Sequence, residues 1–224
     1  MKALLTFTLA LSCATLPAQN KGPVFYDTLG QVTTYELHFA VVAIGRYKSI
    51  HNKAEKKRTL ERTTEAEFQK ELKKTEKRIT GDKKDKNFPA FDLVDLKGNH
   101  VTNKDLPGKV VVINFWFIGC TPCEMERPAL NKLKEAYAGR EDVVFLSIAR
   151  NSGEEIANYT KDARIDYELF PTEKDYIKNT FEVNQYPVNI VLDKNGKYFF
   201  YGVGTGVGIL DIMKKQVQGA LAAE

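Results

Sequence analysis

The chain has 224 residues, 43% of them hydrophobic and 28% charged, with a formal net charge of +4. That balance suits one globular domain with an appendage and excludes a chain disordered throughout. The few cysteines and scattered histidines fall short of the roughly four ligands a structural zinc site takes.

The first residues, MKALLTFTLALSCATLPA, combine one Lys, an apolar run from Ala3 to Leu11 and small residues at a cleavage position. The run is too short to span a bilayer, so residues 1–18 read as a secretory signal peptide and the mature chain as exported, to the periplasm or cell envelope. Cleavage after Ala14 and after Ala18 both fit. A lipid anchor on Cys13 is the competing reading, which Ala10-Leu11-Ser12 fits poorly because Leu is expected three residues before the cysteine. Without the signal, Cys120 and Cys123 are the only thiols, and a single intramolecular disulfide is available. A bridge closing so small a loop constrains the unfolded chain little, which favours redox chemistry over stability as its purpose.

Residues 19–86 read as an N-terminal extension. Gly22 to Gly30 is an irregular lead-in. From Thr34, the residues Tyr35, Leu37, Phe39 and Val41 alternate with Glu36 and His38, which predicts a strand to about Ile44, with a short buried helix over Phe39 to Ile44 as the alternative. His38 reads as a polar-face residue rather than a ligand, and His51 and His100 stand equally alone. Thr64 and Glu67 form a capping-box pattern that opens a helix to about Ile79. Its apolar face, Phe68, Leu72 and Ile79, is narrow; it packs on the following domain or pairs with a second copy. Residues 53–86 carry thirteen Lys/Arg against eight Asp/Glu, a net of +5. Such a segment reads as a solvated helix face, although it can also touch anionic headgroups or an acidic partner. The lack of interleaved aromatics argues against nucleic acid. Asp82 to Asn87 reads as a charged linker, and the main domain as 87–224.

That domain begins with a hairpin, Asp92 to Leu96 and His100 to Thr102 around Lys97-Gly98-Asn99. Val110 to Phe117 is a nearly continuous apolar run and reads as a central strand covered on both faces. Its one interior polar residue, Asn114, must be hydrogen-bonded if buried. A helix follows from about Thr121 to Tyr137, then a strand over Val143 to Ile148 and a helix from Ser152 to about Ala163. Next come an irregular stretch with a short helix near Thr172 to Thr180, a hairpin of Val188 to Leu192 with Lys197 to Tyr201, and a closing helix from Ile209 to about Val217. The order predicts an α/β fold, a three-layer α/β/α sandwich with a strand-plus-helix extension in front. Gly202, Gly204, Gly206 and Gly208 follow a hairpin strand and lack a Gly-Lys-Ser/Thr, so they read as a flexible loop or bulge and not a phosphate cradle.

The chemistry lies in Cys120-Thr121-Pro122-Cys123, where strand, Gly119, CxxC and helix come in sequence. A thiolate at a helix N-terminus is stabilised by unpaired N–H groups, so Cys120 is expected to be the exposed nucleophile and Cys123 the shielded, resolving thiol. Pro122 removes a donor the first turn does not need and stiffens the loop. Cys123 and Glu126 are i and i+3 on one helix face, where a partly buried carboxylate can raise the thiol pKa and shuttle its proton.

From about Asn87 onward the text resembles the thioredoxin superfamily, in particular exported thiol:disulfide oxidoreductases of the TlpA/ResA type. The resemblance rests on NFPAFDLVDLKG, VVVINFWFIGCTPCEMERPAL and FEVNQYPVNIVLDKNGK. It implies a redox-active Cys120–Cys123 disulfide without a separate cofactor, a cis-proline at Pro187 beside Tyr186, an acidic partner in Glu126 and a helix proline at Pro128. It also implies Asn114 where thioredoxin has a buried aspartate, and Trp116 packed beside the disulfide. Gly119 departs from the pattern, since many relatives have Trp there, which bears on substrate preference and redox potential. The implied function is reduction of disulfides in exported proteins, fed by a membrane electron donor such as a thiol-disulfide transporter and serving cytochrome c or other metalloprotein maturation. Two readings compete: a binding or scaffold module braced by a structural disulfide, and a peroxidase, against which Phe117 stands where peroxidatic relatives usually carry Thr.

Overall fold

The computed structural model describes residues 24–27, 29–34, 38, 41, 42 and 46–223; residues 1–18, read as the signal peptide, with Cys13 and both cleavage positions, lie outside them. No helix among the described residues is long and apolar enough to cross a membrane.

The extension folds as a small sheet and a helix. Strands β1 (Val24–Tyr26), β2 (Val32–Thr33), β3 (Tyr47–Asn52) and β4 (Lys57–Arg62) lie in the order β2-β1-β4-β3. Of the stretch expected to form a strand, the described residues 38, 41 and 42 are helical instead, and His38 N–H donates to Thr34 O. A short apolar run satisfies a period of two and a period of 3.6 equally, so its pattern alone does not choose between strand and helix. His38 also departs from its expected polar face. It is fully buried, its Nδ1 2.8 Å from Tyr26 O and its Nε2 2.8 Å from Ser49 Oγ, so both ring nitrogens are satisfied inside the extension.

Helix α1 (Glu65–Ile79) begins as its sequence requires. Thr64 Oγ1 accepts from Glu67 N–H, and the Glu67 carboxylate takes the Thr64 N–H in return. Phe68 and Ile79 are buried, and Glu76 accepts from Lys215 and Gln216 on the last helix of the chain. The helix therefore packs on the following unit, one of its two expected uses. The segment after it is no free linker: Gly81 N–H donates to Tyr201 O, Asp85 N–H to Tyr198 O and Tyr198 N–H to Lys86 O. It runs along the outer edge of the main sheet.

That sheet contains β7 (Val110–Trp116), β8 (Val143–Ala149), β9 (Glu168–Pro171), β10 (Val188–Leu192) and β11 (Tyr198–Val203), in the order β11-β10-β7-β8-β9. β7, β8 and β9 are parallel, while β10 runs antiparallel to both of its neighbours, β7 and β11. β9 was not legible as a strand, being a four-residue edge ending in Pro171. A separate ribbon pairs β5 (Asp92–Val94) with β6 (His100–Thr102).

Alternation along β7 divides the interior in two. Val111, Ile113 and Phe115 point to one core with Phe88, Phe170, Ile177 and Phe181, completed by α4 (Lys174–Phe181). Val110 and Val112 point to the other, beneath α2 (Thr121–Ala136) and α5 (Ile209–Ala222), with Leu133, Ile212 and Met213. With α3 (Gly153–Tyr159) after β8, the result is a thioredoxin-like α/β/α sandwich. The same alternation sends Asn114 and Trp116 toward α2, the helix that carries both cysteines.

Candidate active site

Cys120 is the N-cap of α2 and is bonded to Cys123, with the Cα atoms 5.3 Å apart. Its Sγ also accepts from Cys123 N–H at 3.3 Å, so the sulfur occupies the place of a capping oxygen. Gly119 supplies the turn from strand to helix at φ +87°, a left-handed conformation that glycine adopts without penalty. The loop is pinned by Ile118 N–H donating to Asn151 Oδ1 and Cys120 N–H to Phe117 O.

Thr121 and Pro122 are exposed, but the expected contrast between the cysteines is absent: Cys120 and Cys123 are 4% and 5% exposed. With the sulfurs joined, both fall within an apolar cluster of Trp116, Ala149 and Ile156. Trp116 thus packs with the disulfide as expected, and its ring lies 5.6 Å from that of Tyr159. Tyr159 is hydrogen-bonded to Glu124 and Arg127, which are also paired with each other.

Behind the disulfide, Glu126 is completely buried on α2. Its Oε1 accepts from Asn114 Nδ2 at 3.1 Å and from Asn189 Nδ2 at 3.0 Å, and Asn114 also donates to Asn189 Oδ1 at 3.0 Å. Strand register makes the arrangement, since Asn189, Asn114 and Ser147 are consecutive partners across β10, β7 and β8. Burial pushes the Glu126 carboxyl up to about 7, against the pull of Asn189, the Thr205 hydroxyl and Asn114, each of which favours the ionised form. Between Cys123, Asn114, Ser147 and Tyr167 lies a cavity of about 20 Å³, the size of one water. The Tyr167 hydroxyl is buried, and the Glu126 charge adds to the burial that raises its pKa.

Pro187 follows a cis peptide bond from Tyr186, and Pro187 O accepts from Gly204 N–H at 2.8 Å. Tyr186 packs against the cysteine cluster and meets Phe117 edge-on at 5.3 Å. The Arg150 guanidinium lies 3.7 Å from the centre of the Phe117 ring and 5.3 Å from that of Tyr186. Trp116 and Tyr186 thus pack with the disulfide, and Asn114 on β7 reaches Glu126 on the helix that carries Cys123. Asn189, Thr205 and Arg150 were not anticipated. Asn189 had a readable signal, a lone amide in the apolar run VNIVL. Among the described residues, no group of three His, Cys, Asp or Glu side chains is placed to hold a metal ion.

A thioredoxin-like sandwich whose central strand runs into a CxxC disulfide at a helix N-terminus defines a thiol-disulfide oxidoreductase. Residues 85–198 match the AhpC/TSA family, and the chain belongs to that family within the thioredoxin superfamily. It is 29% identical over 136 residues to the thiol-disulfide oxidoreductase ResA of Bacillus cereus, covering 61% of this chain and 75% of that one. Against the thioredoxin-like protein YneN of Bacillus subtilis it is 33% identical over 132 residues, 58% of this chain and 76% of the relative. Among solved structures, a putative thioredoxin from Neisseria meningitidis aligns with a TM-score of 0.53 at 29% identity, over 62% of this chain and 91% of the other. A putative thiol:disulfide interchange protein DsbE from Chlorobium tepidum shares the fold with a TM-score of 0.57 at 22% identity, over 63% and 99%. The protein is thus a redox enzyme whose active group is its own Cys120–Cys123 disulfide.

Proposed function

We propose that the enzyme reduces disulfides in exported proteins, with residues 87–224 as the catalytic unit and 19–86 as an accessory extension. The observation that carries this reading is the disulfide at the N-cap of α2 with a buried carboxyl one turn further on.

In the reduced enzyme the Cys120 thiolate, favoured by the helix N-terminus, attacks one sulfur of a substrate disulfide. A mixed disulfide forms and one substrate thiolate leaves, taking a proton from water. Cys123 then passes its proton to ionised Glu126 and attacks Cys120 Sγ. The Cys120–Cys123 bond forms, the mixed disulfide breaks, and the second substrate sulfur leaves as a thiolate that is protonated in turn. Two electrons move from enzyme to substrate, and a dithiol donor restores the reduced enzyme.

A carboxyl near 7 suits this task, since it is present in both protonation states at neutral pH. Pro187 and Tyr186, across from the cysteines in this reading, present the substrate backbone. The apolar run at residues 3–11 supports export, and the TlpA/ResA resemblance supports a membrane electron donor and a place in cytochrome c maturation.

The test is trapping. Cys123→Ala accumulates mixed disulfides through Cys120 with folded and peptide disulfides, and Cys120→Ala accumulates none. Failure of Cys123→Ala to trap any of them would sink exchange. A scaffold role would instead leave biological activity intact when both cysteines are replaced by serine.

A further inference from the structure

Three stretches of chain border the disulfide. Residues 117–123 carry it, and Ala149 and Tyr186, which pack in its apolar cluster, bring in 149–152 and 184–187. Within these stretches Arg150 is the one charged side chain. Glu124, next along α2, is already paired with Arg127 and bonded to Tyr159. The Arg150 guanidinium lies 3.7 Å from the centre of the Phe117 ring and 5.3 Å from that of Tyr186, two rings that pack with the cysteines. The backbone beneath it is fixed: Arg150 N–H donates to Trp116 O at 3.2 Å, and Asn151 Oδ1 accepts from Ile118 N–H at 2.9 Å. Among the described residues Arg46 stacks over Phe68 and Arg127 over Tyr159, and each also holds a carboxylate, Glu65 and Glu124 in turn. Arg150 makes the same stack but pairs with no carboxylate among the described residues.

We propose that Arg150 selects the disulfides the enzyme accepts: its guanidinium fork receives a carboxylate beside the attacked cysteine, so the preferred substrates carry Asp or Glu next to their disulfide. The inference deepens the reading of the site as an exchange centre and rests on it. Stacking occupies the faces of the planar guanidinium and leaves its N–H edges to a carboxylate, which takes two parallel hydrogen bonds from such a fork. A side chain already held against two rings loses little further freedom on binding. The apolar rim screens the contact less than water does, which makes it stronger than an ion pair on an open surface. The same charge repels a Lys or Arg in that place, and no other charge in the three stretches offsets it. The approach beside Cys120 is open, since Gly119 is exposed and a Cβ there would meet nothing within 4 Å.

The probes are three peptides of one sequence, each closed by a disulfide, with Glu, Gln or Lys next to the first cysteine. The oxidised full chain, whose active-site sulfurs are joined and cannot attack, is titrated with each peptide while the Arg150 Nε–H resonance is followed by ¹⁵N NMR. The Glu peptide binds roughly five- to tenfold more tightly than the Gln peptide and shifts that resonance, and the Lys peptide binds more weakly than either. In single turnovers of the reduced protein, read by Trp116 fluorescence, the same order appears in the half-saturating peptide concentration and not in the limiting rate. Arg150→Met brings the Glu and Gln peptides to equal affinity, Arg150→Glu reverses the order in favour of Lys, and raised salt narrows the wild-type preference. The proposal is overturned if the wild-type protein binds the Glu peptide no better than the Gln peptide, or if Arg150→Met keeps the preference. The first comparison changes only the peptide, so it decides the matter even where a variant fails to fold. Absence of exchange with all three peptides would remove the exchange reading and leave the binding order in place; equal binding with normal exchange would remove only the role of Arg150.

Discussion

Asn114 and Asn189 stand opposite each other on β7 and β10, and both side-chain amides donate to the same oxygen of Glu126, at 3.1 and 3.0 Å. Two donors on one oxygen oppose the desolvation that would otherwise keep the acid protonated. Asn189→Ala removes one donor and leaves an Asn114 N–H buried without its acceptor. The Glu126 midpoint rises by roughly one pH unit, and the protein loses about 1–3 kcal/mol of stability. Carboxyl NMR titration and denaturant unfolding check the two effects; a midpoint that stays or falls removes the clamp from the argument.

The same burial makes stability depend on pH. Glu126 titrates near 7 in the folded protein, above the 4.5 of an ordinary glutamate. Its contribution is fully present below the unfolded value and is lost as pH rises through the folded one. The oxidised protein therefore unfolds at progressively lower guanidinium concentration between about pH 4.5 and 7, an effect on the order of 3 kcal/mol at most. Glu126→Gln removes this slope. If the wild-type and Gln profiles run parallel, the carboxyl is not carrying a raised pKa.

What could be read from the sequence was what burial on two faces, or a cap, writes into it. Val110–Trp116 is apolar at every position but Asn114 because both faces are covered, and Thr64 with Glu67 announces α1. Cys120, Cys123 and Glu126 were legible because helix spacing places them together. β3 and β4 were not, since a thin, largely exposed sheet carries Lys, Arg and Glu without a clear alternation. Thr205 could not be read at all. Its surroundings are made by Arg78, far away in sequence, and by a loop whose glycines answer to the helix lying over them. The equal burial of the two cysteines is likewise a tertiary property, set by the residues that close over the disulfide.

Gly119 gives a conformational prediction. At φ +87° a side chain meets no neighbouring atom, so any penalty comes from the backbone alone. Gly119→Ala costs about 1–2 kcal/mol, and Gly119→Asn less, because Asn tolerates the left-handed region better. Denaturant unfolding of the oxidised proteins checks the order. Equal loss with both residues would mean that the loop relaxes away from this conformation.

The direction of electron flow follows from how strongly the reduced site holds a thiolate. A helix N-terminus stabilises the Cys120 thiolate and so makes the disulfide easier to reduce. Ionised Glu126, one turn beyond Cys123 and shielded from water, places negative charge on the same helix and works in the other direction. The proposed reductase role requires a potential toward the reducing end, nearer the roughly −270 mV of thioredoxin than the roughly −120 mV of a strongly oxidising disulfide. Glu126→Gln removes the opposing charge and shifts the potential upward. Equilibration with defined thiol buffers, read by the fluorescence of the single Trp116 packed with the disulfide, measures both. A wild-type potential at the oxidising end would reverse the proposed flow, with the enzyme making disulfides in its partners; an unmoved potential in Glu126→Gln would leave the carboxyl without a part in setting it.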